Sequence, residues 1–186
     1  LTRPVRQAGR LARRLKSLGA RVHCIPLIRV EPCLDQTGLR RALGRLRRYT
    51  HLVFTSANGV DVFFQEWRKW RGGPKLPAHL VIAAVGQTTA QAVRRQTGKV
   101  VVVPTGEAAA KNLAKSIRNT AFRSARILHP TSSIASDTLS KNLAVPVDSI
   151  GVYRTSPVSS SAAPLNTLLA KKHPLWVVFY SSSAVK

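Results

Sequence analysis

Between Leu52 and Phe64 the spacing of apolar positions changes from every second residue to every third or fourth. Leu52, Val53 and Phe54 form a β-favouring run, whereas Val60, Phe63 and Phe64 fall on one side of a helix, with Thr55-Ser56-Ala57-Asn58-Gly59 between them. The pattern predicts a strand, a tight turn and a helix start. Thr55, Ser56 and Asn58 can cap that helix, whose first amide N–H groups lack internal partners and carry the positive end of its dipole. A second copy begins at Val178, where VFYSSSAV aligns with the VFTSANGV that begins at Val53, sharing Val, Phe, Ser and Val. Two similar lobes are expected, each presenting a helix start lined with hydroxyls.

The same patterning orders the rest of the chain. Thr2 and Pro4 suit the start of a helix that runs to about Leu18, with Val5, Ala8, Leu11, Ala12, Leu15 and Leu18 as its apolar stripe and Gly19 at its end. Residues 20 to 30 read as an edge or crossing strand because Pro26 interrupts them. A second helix, Gly38 to Tyr49, turns Leu39, Ala42, Leu43 and Leu46 inward, and Trp67 and Trp70 extend the third helix toward Gly73 and Pro74. Apolar strands follow at Leu80–Val85, Lys99–Val103 and Ala125–Leu128, with helices over 90–96, 107–117 and 134–143 and a turn at His129–Ser133. Val147–Thr155 is extended, Ser156–Pro164 reads as linker, and a helix at 165–172 leads to the strand Leu175–Tyr180. Uniformly apolar strands alternating with helices predict an α/β fold with parallel sheets covered on both faces. The chain leaves one lobe and returns to it, crossing near 29–33 and again near 149–155.

In such sheets the turns at the carboxyl ends of the strands share one edge, and ligands bind there. The candidates are Thr55, Ser56, Ala57 and Asn58; Gly86, Gln87, Thr88 and Thr89; Thr105 and Gly106; Thr131 and Ser132; and Ser181, Ser182 and Ser183. Each turn alone is also what plain helix capping would give. As a set they offer hydroxyls and free amides to a polyanion. Phosphate-loop, dinucleotide, zincin and serine-hydrolase motifs are all missing from the sequence, and its seven carboxylates form no obvious acidic pair or metal cluster. The five histidines are isolated, and His129 reads as a turn residue. These features suit a site that holds an anionic substrate in shape.

Charge strengthens the preference for anions. Thirty Lys plus Arg against seven Asp plus Glu give a net +23 over 186 residues, a field that draws in polyanions of any kind. The helix bearing Arg40, Arg41, Arg45, Arg47 and Arg48 is the best nucleic-acid patch, yet it lacks interleaved aromatics. A non-catalytic basic α/β module that binds nucleic acid is therefore the alternative reading. A two-lobed periplasmic-type binding protein is a third. Cys24 and Cys33 have no metal-site spacing and are expected as reduced thiols. No apolar run approaches the ~20 residues that span a bilayer. The chain opens on Leu and stops at Lys186, where the second turn motif should lead into a helix, so it reads as a fragment.

Taken in order, LTRP at the start, PLIRVEP at 26–32, LVFTSANGV at 52–60, AAVGQTTAQAV at 83–93, VYRT at 152–155 and VFYSSSAV at 178–185 resemble uroporphyrinogen-III synthases over essentially the whole chain. The resemblance implies two flavodoxin-like lobes joined by a two-stranded connector. The first would comprise 1–28 plus 156–186, with its C-terminal part missing, the second 34–148, and the connector strands 29–33 and 149–155. It implies a lyase of tetrapyrrole biosynthesis that works without a cofactor: hydroxymethylbilane loses its hydroxyl and cyclises through a spiro intermediate with ring D inverted, giving uroporphyrinogen III. Eight carboxylates on that substrate match the amide-lined turns. Tyr153, in VYRT, is placed facing the cleft as the catalytic candidate. A monomer without metal, membrane or nucleic-acid partner is implied, in the cytoplasm or, in a photosynthetic eukaryote, the plastid stroma. Tyr180 departs from the Thr common at its position.

Overall fold

The computed structural model describes residues 1–2, 5–70, 73, 75–99, 125–134, 138–143, 145–171 and 174–179. The chain divides into two compact units, one formed by Leu1–Glu31 with Thr155–Lys186 and the other by Pro32–Arg154. The strands are β1 (Ile28–Pro32), β2 (His51–Phe54), β3 (Val81–Ala84), β4 (Ile127–Ser132) and β5 (Val147–Pro157). They form a five-stranded sheet in the order β1-β5-β4-β2-β3, and β2 pairs in parallel with both β3 and β4, as does β4 with β5.

The 32–154 unit is built on β2, whose four residues are all buried. Successive side chains of a strand point to opposite faces. Val53 packs with Ala83, Ile127, Leu139 and Leu143, the last two contributed by α5 (Thr138–Asn142) and the residue after it. Phe54 points the other way and meets Phe63 edge-to-face at 5.5 Å, while Phe64 meets Phe63 at 5.2 Å and Trp67 stacks on it at 6.5 Å. These rings belong to α3 (Ala57–Lys69). Both faces of β2 are thus covered, and each fully buried Phe stabilises the unit by about 1.5–3 kcal/mol.

Turn chemistry fixes where the helices begin. Ser56 is the N-cap of α3 and its Oγ accepts the Gly59 N–H at 3.0 Å, so one of the orphan amides is satisfied within the motif. Helix α4 (Gln87–Thr97) starts three residues earlier than the expected Ala90, because Gly86 at φ +80° turns the chain directly after β3. Helix α2 (Thr37–Gly44) ends before the expected Tyr49 and gives way to a 3-10 turn at Leu46–Arg48, yet Leu39, Ala42, Leu43 and Leu46 are buried as the spacing required. Trp70 closes α3 and its ring lies beside Gly44.

Two expectations are overturned along β4 and β5. Residues 129–132 are not a turn: β4 continues through them, paired with β5 from Ile127–Val147 to Ser132–Tyr153. Pro130 is tolerated there because the ladder from β4 to β2 ends at the Leu52–Leu128 pair, so its missing N–H costs no bond on that side. Nor is 156–164 a linker. β5 runs to Pro157, a 3-10 turn occupies Ser159–Ser161, and α6 (Ala162–Leu169) holds Pro164 in its first turn, where no N–H is needed.

In the other unit, α1 (Val5–Ser17) buries Ala8 and Ala12 but leaves Leu18 outside the helix and exposed. Its end is closed by Gly19 at φ +86°, with Gly19 N–H donating to the Lys16 carbonyl and Ala20 N–H to that of Leu15. Leu1 and Thr2 bond to the 23–27 segment through Leu1 N to the His23 carbonyl and from Ile25 and Leu27 N to the carbonyls of Leu1 and Thr2. The Thr2 hydroxyl donates to the Val178 carbonyl. Residues 174–179 form no regular strand. No described helix is long and apolar enough to cross a membrane.

Candidate functional site

Around the carboxyl end of β2 the chain brings together hydroxyls and one imidazole from β4 and β5. The Tyr153 hydroxyl lies 3.0 Å from Ser56 Oγ, joining residues 97 apart in sequence. Ser56 already gives one lone pair to the Gly59 amide. Its own proton can go to the Tyr153 oxygen, which leaves the phenol proton free for a ligand. Tyr153 is buried, and Ser132 stands beside it in register, one residue past a bulge at Thr131/Ser132. The Ser133 amide holds the Tyr153 carbonyl at 2.8 Å, so the phenol is presented by fixed backbone.

The second group is centred on His129. Nε2 lies 3.1 Å from Thr55 Oγ1 and Nδ1 3.2 Å from Ser149 Oγ. Only 4% of the residue is exposed, and burial pushes its imidazole down to about 4. At neutral pH the ring is therefore uncharged. A neutral imidazole donates through one nitrogen and accepts through the other, and hydroxyls satisfy either tautomer. The ring locks the Thr55 hydroxyl, itself on an exposed residue, to β4 and β5. The sequence reading placed His129 in a turn after a strand ending at Leu128. The apolar Ile127 and Leu128 immediately before it were the available sign of a continuing strand.

Close approach of backbone completes this edge. A Cβ on Gly59 would lie 2.9 Å from the Pro130 carbonyl oxygen, so only glycine lets the first turn of α3 rest on β4. Ala57 and Asn58 are half-buried in that turn. Because β3 lies next to β2, with Val85 N bonded to the Phe54 carbonyl, the Gly86 turn neighbours the Thr55–Ser56 turn. Gln87 and Thr88 are exposed there, whereas Thr89 is buried. Thr131 is buried in β4, and Ser132 Oγ accepts the Ile134 N–H at 3.4 Å. Thr105, Gly106, Tyr180, Ser181, Ser182 and Ser183 lie outside the described residues. The arrangement offers two helix starts, α3 and α4, with a phenol and several hydroxyls, which suits anionic groups. Among the described residues no group of three His, Cys, Asp or Glu side chains could hold a metal ion, and Cys24 and Cys33 are free thiols.

The sheet order, the helices on both faces of β2 and the hydroxyl-lined carboxyl edge define an α/β protein of the parallel-sheet kind. A family model described as uroporphyrinogen-III synthase HemD matches residues 9–186. The chain belongs to the uroporphyrinogen-III synthase family. It is 25% identical over 189 aligned residues to the porphyrin biosynthesis protein HemD of Ruminiclostridium josui, an alignment covering 100% of this chain and 37% of that protein. It is 30% identical over 107 residues to the uroporphyrinogen-III synthase of Synechococcus elongatus, covering 55% of this chain and 39% of that one. The chain therefore spans well under half the length of these curated relatives. A crystal structure of a mutant uroporphyrinogen III synthase from the extremely thermophilic bacterium Thermus thermophilus shares the fold with a TM-score of 0.57 at 18% identity, over 89% of this chain and 66% of the other.

Proposed function

We propose that the protein carrying this chain is a uroporphyrinogen-III synthase, closing hydroxymethylbilane into uroporphyrinogen III with ring D inverted and water lost. The observation that supports it most is the Ser56–Tyr153 hydrogen bond, which unites the TSANG and VYRT segments at one edge. In this reading the pyrrole nitrogen drives the hydroxyl off, and the phenol of Tyr153 gives it a hydrogen bond or proton as the C–O bond breaks. Ser56 holds the phenol in place by donating to its oxygen. Thr55, Ala57, Asn58, Gly86, Gln87, Thr88, Thr89, Thr131 and Ser132, with Thr105, Gly106 and Ser181–Ser183, bind the substrate's carboxylates. The main task is to fix which carbon ring D attacks. That task needs neither cofactor nor metal.

The same reading takes the two units as flavodoxin-like lobes, 1–28 with 156–186 and 34–148, joined by connector strands at 29–33 and 149–155, in a protein that works as a monomer in the cytoplasm or plastid stroma. Support comes from the family match and from β1 and β5, which carry the chain across the boundary between the units. Complementation tests the activity: the full-length gene should restore formation of the type III isomer in a strain lacking the enzyme. Recovery of type I product alone would overturn it.

A further inference from the structure

At the amino-terminal ends of the same strands lies a groove of about 420 Å³, lined by Arg41, Arg45, Arg48, Tyr49, Arg126 and Asp148 together with Gly38, Ala42 and 147–150. Tyr49 lies two residues before β2, Arg126 immediately precedes β4, and Asp148 is the second residue of β5. Tyr153, Ser56 and Thr55 stand at the opposite ends. The groove reaches Ser149, whose hydroxyl bonds His129 of the hydroxyl edge, but the six residues of β4 put Arg126 roughly 20 Å from Ser132 beside Tyr153, so an anion held on the guanidiniums does not reach the phenol.

Four guanidiniums face one carboxylate here, and that carboxylate is already engaged. Asp148 Oδ2 accepts from the Tyr49 hydroxyl at 2.6 Å and from Arg126 at 3.2 Å. Burial, then the Asp148 hydrogen bond, pushes the Tyr49 hydroxyl up to about 12, so the phenol stays a donor to Asp148 and adds no negative charge. Arg41, Arg45 and Arg48 have exposed side chains and no ion pair with any carboxylate among the described residues. Three unneutralised guanidiniums around one concavity are unfavourable together unless an anion joins them. Their planar forks match phosphate bidentately. Tyr49 is buried and its ring lies under the Arg126 guanidinium at 5.6 Å, so the groove has no open aromatic face on which a base could stack.

We propose that this groove is a second anion site, distinct from the hydroxyl edge, that binds the clustered phosphates of a small polyphosphate-bearing molecule. Recognition is through consecutive phosphates, whether these come from an inorganic polyphosphate or from a nucleoside triphosphate. The proposal stands independently of the synthase reading.

The experiment is calorimetric titration of the protein with inorganic tripolyphosphate, with ATP and with citrate, at low and at physiological salt. Tripolyphosphate should bind at one site, citrate at least tenfold more weakly, and affinity should fall with salt. The Arg45→Ala/Arg48→Ala pair should lose tenfold or more, and the Arg45→Lys/Arg48→Lys pair, which keeps the charge but not the fork, should fall between. Arg94→Ala/Arg95→Ala, on α4, should leave binding unchanged. ATP equal to tripolyphosphate assigns recognition to phosphates alone, and tighter ATP adds a contact to the nucleoside, both within the proposal. Three results would overturn it: no tripolyphosphate binding, equal loss in the α4 pair, or binding confined to long oligonucleotides, which would make the surface a nucleic-acid patch.

Discussion

Acidification should weaken the fold through His129, by an amount that follows from its burial. In the unfolded chain an imidazole titrates near 6.5, whereas in the folded protein burial pushes this one down to about 4. Above 6.5 the ring is neutral in both states, and pH has no effect through it. Below that, the unfolded chain takes up a proton that the folded one refuses, so stability is lost as pH falls, at up to ~1.4 kcal/mol per pH unit. The loss levels off once the folded ring itself titrates near about 4. The full difference is about 3 kcal/mol, of which about 2 kcal/mol is already lost at about pH 5. With the ring 4% exposed, solvent screening does not reduce the figure much. Urea unfolding of the protein and of its His129→Gln and His129→Asn variants, each at about pH 7.5 and about pH 5, measures it. Each protein is compared with itself, so a variant of lower absolute stability is still informative. Carboxylates, and His51, which burial also lowers, contribute equally to all three and cancel. The wild type should lose about 2 kcal/mol more than either variant over this interval. Equal losses would show that His129 is not held neutral by its surroundings.

In the full-length enzyme Tyr153→Phe should slow turnover by roughly ten- to a hundred-fold while the product stays type III, read by isomer-resolved chromatography; an unchanged rate would leave the phenol as packing. Thr55→Val and Ser56→Ala should each weaken binding of the polycarboxylate by about 0.5–1.5 kcal/mol. Ser56→Ala should also lower thermal stability by about 1 kcal/mol, because the Gly59 amide loses its acceptor; stability losses in both variants with unchanged ligand affinity would return these hydroxyls to capping alone. Gly59→Ala should destabilise by about 1–3 kcal/mol despite alanine's better helix propensity, since its Cβ meets the Pro130 carbonyl oxygen at 2.9 Å. An unchanged melting temperature would mean that α3 and β4 shift apart at little cost.

What could be read from the sequence was what is decided locally. The change of period after Phe54 placed the start of α3, because an N-cap and the first turn it serves lie within four residues of each other. The inward positions of α2 were equally legible, although its early end was not: Gly44 is met by Trp70, a neighbour supplied by another helix. The turn read at 129–133 failed for the same reason, since pairing with β5 carries the strand through Pro130. Ser161 looked like linker composition, yet it is buried and its hydroxyl donates to the Pro26 carbonyl, 135 residues away. Of the candidate site, the turns at Thr55–Asn58 and Gly86–Thr89 could be picked out individually. The bond from Ser56 to Tyr153 and the ring of His129 between Thr55 and Ser149 could not, because nothing in local spacing specifies which strand will lie beside which.

That long-range bond has a consequence for how the molecule is made. Synthesis delivers β2 and the first turn of α3 nearly a hundred residues before Tyr153, and Ser56 can cap its helix as soon as Gly59 is present. The phenol finds its place only after β4 has settled next to β2 and β5 has docked on β4, the outermost step in that part of the sheet order. Contacts of such separation are slow to form because chain closure must come first. A nascent chain halted before β5 would therefore have the cap, the aromatic cluster and much of the core, and still lack the phenol. The bond between Ser56 and Tyr153 would form only with the last of the five strands to be made.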